Sequence, residues 1–241
     1  MRLLLLSNSS CHGAGYLDHA AEAIRAFLSR AGRILFVPFA LHDQAAYWAR
    51  VRERFAQWGI EVDRAAEGSS GRAAVEQAEA FFVGGGNTFR LLHHLQGAGF
   101  LEPIRRRVAG GAPYLGSSAG TVIAAPTIRT TNDMPIVQPA SLDALGLVPF
   151  QINCHYLDAD PASTHMGETR EQRIREFHEE NEAVVIGLRE GAWLAVEGGS
   201  GDRGAPQVLL EGRTGARVFR RGAAPSEFAP GAELTPHLFA K

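Results

Sequence analysis

The sequence predicts an α/β fold built on a mostly parallel sheet that helices cover on both faces. In the first two thirds of the chain, short apolar runs alternate with amphipathic stretches, the pattern of a parallel sheet with helical crossovers. The 241 residues are 45% hydrophobic, which is enough to bury one substantial core. No linker is long enough to separate two cores, so we expect one domain over residues 1–241.

Five apolar runs are predicted to be strands of the main sheet: Leu3–Leu6, Ile34–Phe36, Ile60–Val62, Ala80–Val83 and Pro113–Gly116. Apolar residues at helical spacing predict the intervening helices Tyr16–Ser29, Ala45–Trp58, Ala73–Ala78 and Phe89–Leu95. The crossovers between parallel strands are expected to be right-handed.

The last third has a different pattern. One helix is predicted over Arg170–Glu180. The strand-like runs are Val184–Ile186, Trp193–Val196, Val208–Leu210 and Val218–Phe219, with turn residues such as Gly198–Gly201 between them. We expect antiparallel strands added to the edge of the main sheet, and a loosely held tail from Gly222 onward.

Charge and hydropathy exclude several classes of partner. The net charge of −2 gives no electrostatic basis for binding nucleic acid or an anionic membrane. No stretch approaches the roughly 20 apolar residues of a membrane helix, and Leu3–Leu6 is too short for a signal peptide. Two cysteines do not form a disulfide framework, so a cytoplasmic location is expected.

The basic residues exclude several kinds of chemistry. Of the 24 basic residues only Lys241 is a lysine. A phosphate-binding Walker loop, a Schiff base and a Ser–Lys dyad all need a lysine inside a site, and arginine cannot act as base or nucleophile in its place.

The segment Gly116–Gly120 is the first candidate for catalysis. It reads G-S-S-A-G between a predicted strand and the apolar run Thr121–Ala125, which is the strand–turn–helix setting of the G-x-S-x-G frame. The frame selects Ser118 over Ser117 as nucleophile. The alternative is a turn of small residues without chemistry.

The glycines at 84–86 follow another predicted strand and precede a helix. A dinucleotide loop would need a small residue at position 89, where Phe89 stands, and a phosphate loop would need lysine. An oxyanion hole is the better use, with one N–H from this loop and one from Ala119, the residue after the nucleophile.

His155 is the candidate base and Asp133 the candidate acid. The order Ser118, Asp133, His155 occurs in one lineage of catalytic triads, although Asp133 could also form an Asx turn before Pro135. If this stretch is extended, the neighbouring Cys154 should face away from His155. No His, Cys or acidic spacing predicts a metal site.

A capping box formed by Thr169 and Gln172 opens the last helix and places Arg170 in its first turn. A cation is disfavoured there, which suggests an acidic ligand nearby. The alternative is an ordinary solvated helix face with a Glu171–Arg175 pair.

Together these segments resemble the peptidase E family of aspartyl dipeptidases. The matching strings, in chain order up to Leu194, are LLLLSNSS, VPFA, FVGGGNTF, GSSAG, PTIRTTNDMPIVQP, LDALGLVPFQIN, GETREQRIREF and VIGLREGAWL. The resemblance implies a three-layer α/β/α sandwich like class I glutamine amidotransferases, with serine as nucleophile.

The resemblance also implies roles for individual residues. Ser118, His155 and Asp133 would form the triad, with Glu168 as the alternative third member. Gly86 and Ala119 would form the oxyanion hole. The substrate would be a small acidic dipeptide of the form Asp-X, bound by Arg170 with Glu168 and Asn87, without a cofactor and without nucleic acid or membrane.

Two positions depart from the family pattern: Ser117, where Trp is expected, and Cys154, where Pro is expected. Both are expected to affect the shape of the pocket. The alternative functions are a cyanophycinase-like or isoaspartyl hydrolase, a binding protein on the same fold, and a weakly active amidotransferase-like protein. The sequence leaves the oligomeric state open, with a homodimer as one option.

Overall fold

The four leucines near the start of the chain form the middle of a seven-stranded sheet. The structure is a computed structural model that describes residues 1–164, 166–198 and 204–239. Strand β1 (Arg2–Leu6) lies between β5 (Tyr114–Ser117), which is parallel to it, and β8 (Ala192–Glu197), which is antiparallel. Leu3 and Leu5 pack on one face, and Leu4 and Leu6 pack on the other. Burial on both faces explains why this strand is apolar throughout.

The sheet has the strand order β3-β2-β4-β5-β1-β8-β9. Its other members are β2 (Arg33–Val37), β3 (Glu61–Arg64), β4 (Phe81–Val83) and β9 (Gln207–Gly212). The five strands from β3 to β1 are parallel, and β8 and β9 extend the sheet as antiparallel strands. The five predicted strands of the main sheet are therefore confirmed.

Helices cover both faces of this sheet. One face carries a 3-10 turn (Asp18–Ala20), α1 (Ala21–Phe27) and α2 (Gln44–Ala56). The other face carries α3 (Ser69–Gln77), α4 (Thr88–Gly97), α5 (Leu101–Ala109) and α6 (Ala119–Val122). The three-layer α/β/α architecture is confirmed. Of the helices in the described ranges, none combines the length and the apolar character that crossing a bilayer requires.

Helix α5 is absent from the sequence prediction. Its apolar pattern is interrupted by Pro103 and three consecutive arginines, Arg105–Arg107. In the structure Pro103 lies in the first turn, where its missing N–H removes no intrahelical bond, and Ile104 and Val108 are buried.

A second sheet of four strands packs beside the first. Its order is β11-β10-β7-β6, from β6 (Gln151–Tyr156), β7 (Val185–Arg189), β10 (Ala216–Phe219) and β11 (Ser226–Phe228). The expectation that all late strands extend the main sheet is therefore wrong for β7 and β10. Residues such as Ile152, Ile186 and Val218 bury one face of this sheet in the main core, and α7 (Arg170–Glu180) covers the other face through Ile174.

The segment after Gly222 is held in place, contrary to the expectation of a loose tail. Strand β11 pairs with β10, and the Leu234 N–H donates to the Val208 carbonyl at 2.8 Å. Leu234 and Leu238, the latter in α8 (Thr235–Leu238), are buried. Of the predicted turn at 198–201, residues 199–201 lie outside the described residues, as does Lys241.

Candidate active site

Ser118 lies on a sharp turn between β5 and α6. Its φ of 51° is in the left-handed region, which a residue with a side chain adopts at a cost. The turn closes tightly enough that a Cβ on Gly116 would lie 2.7 Å from the Gly120 carbonyl oxygen, and one on Gly120 would lie 2.0 Å from that of Val83. Both flanking glycines are thus required by the fold, as the G-x-S-x-G frame predicts.

The main chain of β1 supports this turn. The Ser118 N–H donates to the Leu6 carbonyl at 3.0 Å, and the Thr121 hydroxyl donates to the same oxygen at 2.7 Å. The turn is thereby tied to the end of the central strand, with the Ser118 side chain only partly buried.

His155 contacts Ser118 directly. Its Nε2 lies 2.8 Å from the Ser118 Oγ. The residue sits at a bulge in β6, between Cys154 and Tyr156, with a φ of 53°. A bulge turns the affected side chain out of the regular alternation, which directs His155 to the serine.

Ser7, the residue after β1, fixes the main chain at this bulge. Its hydroxyl accepts the His155 N–H at 2.9 Å and donates to the Leu188 carbonyl at 2.8 Å. Ser7 is fully buried. Three strands, β1, β6 and β7, therefore meet at this one hydroxyl.

Glu190 occupies the third position of the hydrogen-bonded chain. Its Oε1 lies 2.7 Å from the His155 Nδ1. Glu190 and Gly191 form the turn between β7 and β8, and the Gly191 N–H donates to the Asn8 side-chain oxygen at 2.8 Å. The Thr214 hydroxyl donates to the Glu190 carbonyl at 2.6 Å, so both sides of the turn are held.

Neither Asp133 nor Glu168 is hydrogen-bonded to His155, whose Nδ1 is paired with Glu190, which corrects both candidates for the acid. The Asp133 Oδ2 accepts the Thr88 N–H at 2.7 Å and its hydroxyl at 2.5 Å. Asp133 thus sits at the N-terminal end of α4, where the unpaired N–H groups favour a carboxylate. Glu168 instead lies 3.5 Å from the Arg173 guanidinium.

Neither Ser117 nor Cys154 lines the cleft at Ser118, although both were expected to affect its shape. Ser117 is fully buried. The Cys154 thiol faces the core, 3.6 Å from the Ser118 carbonyl. Burial raises the pKa of this thiol well above its ordinary value, and the nearby charge of Asp133 raises it further. A thiol held neutral in this way is not a nucleophile.

The loop at 84–86 lies against Ser118. A Cβ on Gly85 would be 3.0 Å from the Ser118 Cβ, so any side chain there would obstruct the serine. Gly86 has a φ of 135°, and a Cβ on it would lie 2.6 Å from the Ala40 carbonyl oxygen. Among the described residues, no acceptor is paired with the N–H of Gly86 or of Ala119.

Asn87 does not line the cleft in the structure, although it was expected to bind substrate. Its side-chain oxygen caps α4 by accepting the Arg90 N–H at 3.0 Å. Its amide nitrogen donates to the Met134 carbonyl at 2.8 Å. Asn87 therefore joins the start of α4 to the loop that carries Asp133.

Arg170 is half-buried and faces a neighbouring cavity of about 650 Å³. It donates to the Asn132 side-chain oxygen at 2.8 Å, and no described carboxylate lies within ion-pair distance of it. Burial lowers its pKa, as does the neighbouring Arg173, while Asp133 acts in the opposite direction. Arginine stays charged throughout this range, so Arg170 is a cation without an ion pair among the described residues, although the cavity is also lined by Asp158, Asp160 and Glu168.

Ser118 lines a cleft of about 360 Å³. The residues lining it are Ser9, Leu41, Tyr47, Arg50, Gly85, Gly86, Ser118, Asp133 and His155. In the described part of the chain, no three His, Cys, Asp or Glu side chains are grouped so that they could hold a metal ion.

A serine, a histidine and a carboxylate at hydrogen-bond distances are the arrangement of a serine-hydrolase triad. Comparison with known proteins shows which family the chain belongs to. The model of peptidase family S51 matches residues 3–203. The chain belongs to peptidase family S51. The resemblance to peptidase E that the sequence predicts is thereby confirmed.

Curated relatives of this S51 chain match it over nearly their whole length. Peptidase E of Streptomyces coelicolor is 56% identical over 238 residues, which cover 99% of this chain and 95% of the relative. A probable alpha-aspartyl dipeptidase of Drosophila melanogaster is 44% identical, covering 97% and 95%. Peptidase E of Salmonella typhimurium is 47% identical, covering 92% and 95%.

Solved structures share the S51 chain's fold. A peptidase from an acI-B1 actinobacterium superposes with a TM-score of 0.69 at 15% identity, covering 97% of this chain and 96% of that one. A putative peptidase E of Listeria monocytogenes EGD-e gives 0.64 at 23% identity, covering 88% and 98%. At these identities the likeness concerns the fold.

Sequence reasoning missed two residues that are hydrogen-bonded to His155 in this candidate site, Glu190 and Ser7. Both lie in strings that carry the family resemblance, VIGLREGAWL and LLLLSNSS. The sequence features that could have pointed to them are the Glu-Gly turn that contains Glu190 and the position of Ser7, a small polar residue, at the end of a strand. Neither could be assigned without knowing that β6 pairs with β7 beside β1.

Proposed function

We propose that this S51 peptidase hydrolyses dipeptides with an N-terminal aspartate, using Ser118 as nucleophile. The observation that carries the proposal is the hydrogen-bonded chain from Ser118 Oγ to His155 Nε2 and from His155 Nδ1 to Glu190 Oε1. The names of the relatives, peptidase E and probable alpha-aspartyl dipeptidase, support the substrate class.

The chain of hydrogen bonds sets the direction of proton transfer. An ionised carboxylate only accepts hydrogen bonds, so the His155 Nδ1 carries the proton that Glu190 accepts. The Nε2 lone pair is then free to accept the Ser118 proton as Oγ attacks the scissile carbonyl. His155 next protonates the leaving amine, and water hydrolyses the acyl-enzyme by the reverse route.

The oxyanion of the tetrahedral intermediate is assigned to the N–H groups of Gly86 and Ala119. Both lack a partner among the described residues, and Gly86 belongs to the loop packed against Ser118. Each donor of this kind contributes about 10²–10³-fold in rate.

Arg170 is proposed to bind the aspartate side chain of the substrate. Its guanidinium has no carboxylate partner among the described residues and faces a cavity large enough for an acidic side chain. Glu168 lines the same cavity and forms an ion pair there with Arg173, so we include it in the proposed substrate site. A paired Arg–carboxylate contact penalises substrates that lack the acid.

Asp133 is proposed to receive the substrate's α-ammonium. It lines the Ser118 cleft, and its hydrogen bonds to Thr88 use one carboxylate oxygen, Oδ2. The acid that was predicted to orient His155 thus acquires a binding role in this proposal.

The first test is hydrolysis of Asp-Leu beside Glu-Leu, Asn-Leu and β-Asp-Leu. We expect cleavage of Asp-Leu with a clear preference over the other three. Only in Asp-Leu does the side-chain carboxylate lie at the distance from the scissile bond that contact with Arg170 requires. The Ser118→Ala variant should lose on the order of 10⁴-fold or more in kcat/KM.

Each outcome of this assay is informative. Preferred cleavage of β-Asp-Leu would move the protein to the isoaspartyl branch. Turnover that survives Ser118→Ala would exclude the serine mechanism, and failure to cleave any of the four dipeptides would overturn the dipeptidase proposal and favour a binding protein.

We also propose a cytoplasmic location, supported by the two free cysteines, Cys11 and Cys154, as expected in a reducing compartment. A homodimer stays a prediction, which sedimentation of the purified protein tests.

A further inference from the structure

Arg50 is the cation of the Ser118 cleft. It lies on α2, one helical turn after Tyr47, and both residues line the cleft. Among the described lining residues Arg50 alone carries a permanent positive charge. Because Arg50 lies on a 13-residue helix rather than on a loop, its backbone position is fixed.

Two aromatic rings hold the Arg50 guanidinium. Its central carbon lies 4.7 Å from the centroid of the Tyr16 ring and 5.1 Å from that of Tyr47. Burial raises the pKa of both phenols, so the rings stay neutral and do not cancel the charge. Contact with ring faces engages the flat face of a guanidinium and leaves the N–H groups at its edge available.

No described residue uses those N–H groups. Arg50 makes neither a hydrogen bond nor an ion pair within the described chain. By contrast Arg54, on the same helix and also stacked on an aromatic ring, is hydrogen-bonded to Asp18 and Gln57. The cleft that contains Ser118 therefore also presents a cation that two rings hold and that has no ion pair among the described residues, although Asp133 lines the same cleft.

We infer that Arg50 binds the free C-terminal carboxylate of the substrate and so selects dipeptides over longer peptides and peptide amides. The inference rests on the proposed dipeptidase function and adds the recognition of the leaving residue. In a dipeptide the terminal carboxylate carbon is two bonds from the scissile nitrogen. A substrate whose carbonyl meets Ser118 must therefore place that carboxylate in the same cleft.

The arrangement of charges matches such a substrate. A dipeptide Asp-X carries two carboxylates with the scissile bond between them. The segment Asn132–Asp133 contributes to both cavities, Asn132 to that of Arg170 and Asp133 to that of Arg50 and Ser118. Each carboxylate of the substrate thus has its own arginine without an ion pair among the described residues, and Asp133 is left for the α-ammonium.

The test compares Asp-Leu with its C-terminal amide, Asp-Leu-NH₂, which lacks only the carboxylate charge. The Arg50→Gln variant should lower kcat/KM for Asp-Leu by about 10–100-fold, chiefly through KM, as expected when a charged hydrogen-bonded contact is lost. For the amide, the same variant should change kcat/KM by less than about threefold, because no such contact is present to lose.

Arg52→Gln is the matched control. Arg52 lies on the same helix, stacks on Trp48 at 4.6 Å and does not line the cleft, so this variant should leave both substrates unchanged. An equal loss on acid and amide in Arg50→Gln would indicate a structural role and overturn the inference. No loss on either would overturn it as well.

Equilibrium binding separates this inference from the proposed function. In the Ser118→Ala background, Asp-Leu should bind about 10-fold or more tightly than Asp-Leu-NH₂, and adding Arg50→Gln should abolish the difference. Equal binding of acid and amide before the arginine is changed contradicts the inference. Failure of the wild-type protein to cleave Asp-Leu bears instead on the dipeptidase proposal.

Discussion

Ser118 and His155 both hold left-handed backbone conformations. In the described chain only Leu17 shares this property among non-glycine residues. Each such conformation costs roughly 1–3 kcal/mol and persists only where surrounding contacts enforce it. Here the contacts are the Leu6 carbonyl for the serine and the Ser7 hydroxyl for the histidine. Two of the three non-glycine residues with this strain in the described chain are therefore the two proposed to react.

One pair of variants tests which carboxylate is the third member of the proposed triad. Glu190→Gln keeps the size of the side chain but removes the charge that stabilises the imidazolium, so kcat should fall by about 10²-fold with little change in KM. The loss should be smaller than the ~10⁴-fold of a buried aspartate, because the Glu190 side chain is 58% exposed and water partly replaces it.

Asp133→Asn is the comparison for Glu190→Gln. Asp133 bonds to Thr88 rather than to His155, so this variant should act mainly by raising KM, through loss of the ammonium contact. Steady-state kinetics on Asp-Leu gives both parameters. A fall in kcat confined to Asp133→Asn would restore the acid that the sequence predicted.

At the scale of elements, local pattern was sufficient for much of the fold. Helix α7 begins and ends at the predicted residues, Arg170 and Glu180, because its capping box and its spacing are both local. The turn at Ser118 could be predicted for the same reason: two glycines, a serine and the flanking strand and helix lie within ten residues.

What the sequence could not provide was the pairing of distant strands. The second sheet joins β6 and β7, about 30 residues apart, as parallel neighbours. That pairing brings Glu190, rather than Asp133, to His155. The Glu190 position is thus a product of tertiary structure, and a motif search centred on the serine does not find it.

A substitution at Ser7 tests how far the position of His155 depends on the contact between β1, β6 and β7. Ser7→Ala removes the acceptor for the His155 N–H and the donor to Leu188, both buried. We expect a loss of about 1–3 kcal/mol in the free energy of unfolding. We also expect a lower kcat, because the His155 backbone is no longer held in its unusual conformation.

Urea unfolding and kinetics on the same preparation measure the two effects of Ser7→Ala. Ser29→Ala, at an exposed position, is the control and should leave both values unchanged. A stable Ser7→Ala variant with full activity would mean that the other contacts suffice to place the histidine.

At the scale of the whole molecule, the C-terminal segment joins the two sheets. Strand β11 extends the second sheet along β10, while Leu234 and Ala232 exchange hydrogen bonds with β9 at the edge of the main sheet. The Thr235 hydroxyl adds a bond by accepting the Val208 N–H at 2.9 Å. Composition alone suggested a loose tail, since Gly, Ala and Pro dominate positions 222–232; the anchoring residues are the few apolar ones that follow.

Among the side chains of the C-terminal segment, Leu234 should contribute most to holding the two sheets together. It is fully buried in the main core, so Leu234→Ala should cost about 2–5 kcal/mol in the free energy of unfolding, through lost burial and the cavity left behind. Leu209→Ala, on the half-exposed face of the neighbouring strand β9, should cost clearly less.

Because Leu234 does not line the cleft at Ser118, kcat/KM measured well below the unfolding temperature should stay within about twofold of wild type. Urea midpoints and kinetics for the two variants separate the possibilities. A small stability loss for Leu234→Ala would show that the segment is dispensable. A large activity loss in fully folded protein would show that the contact between the sheets positions His155.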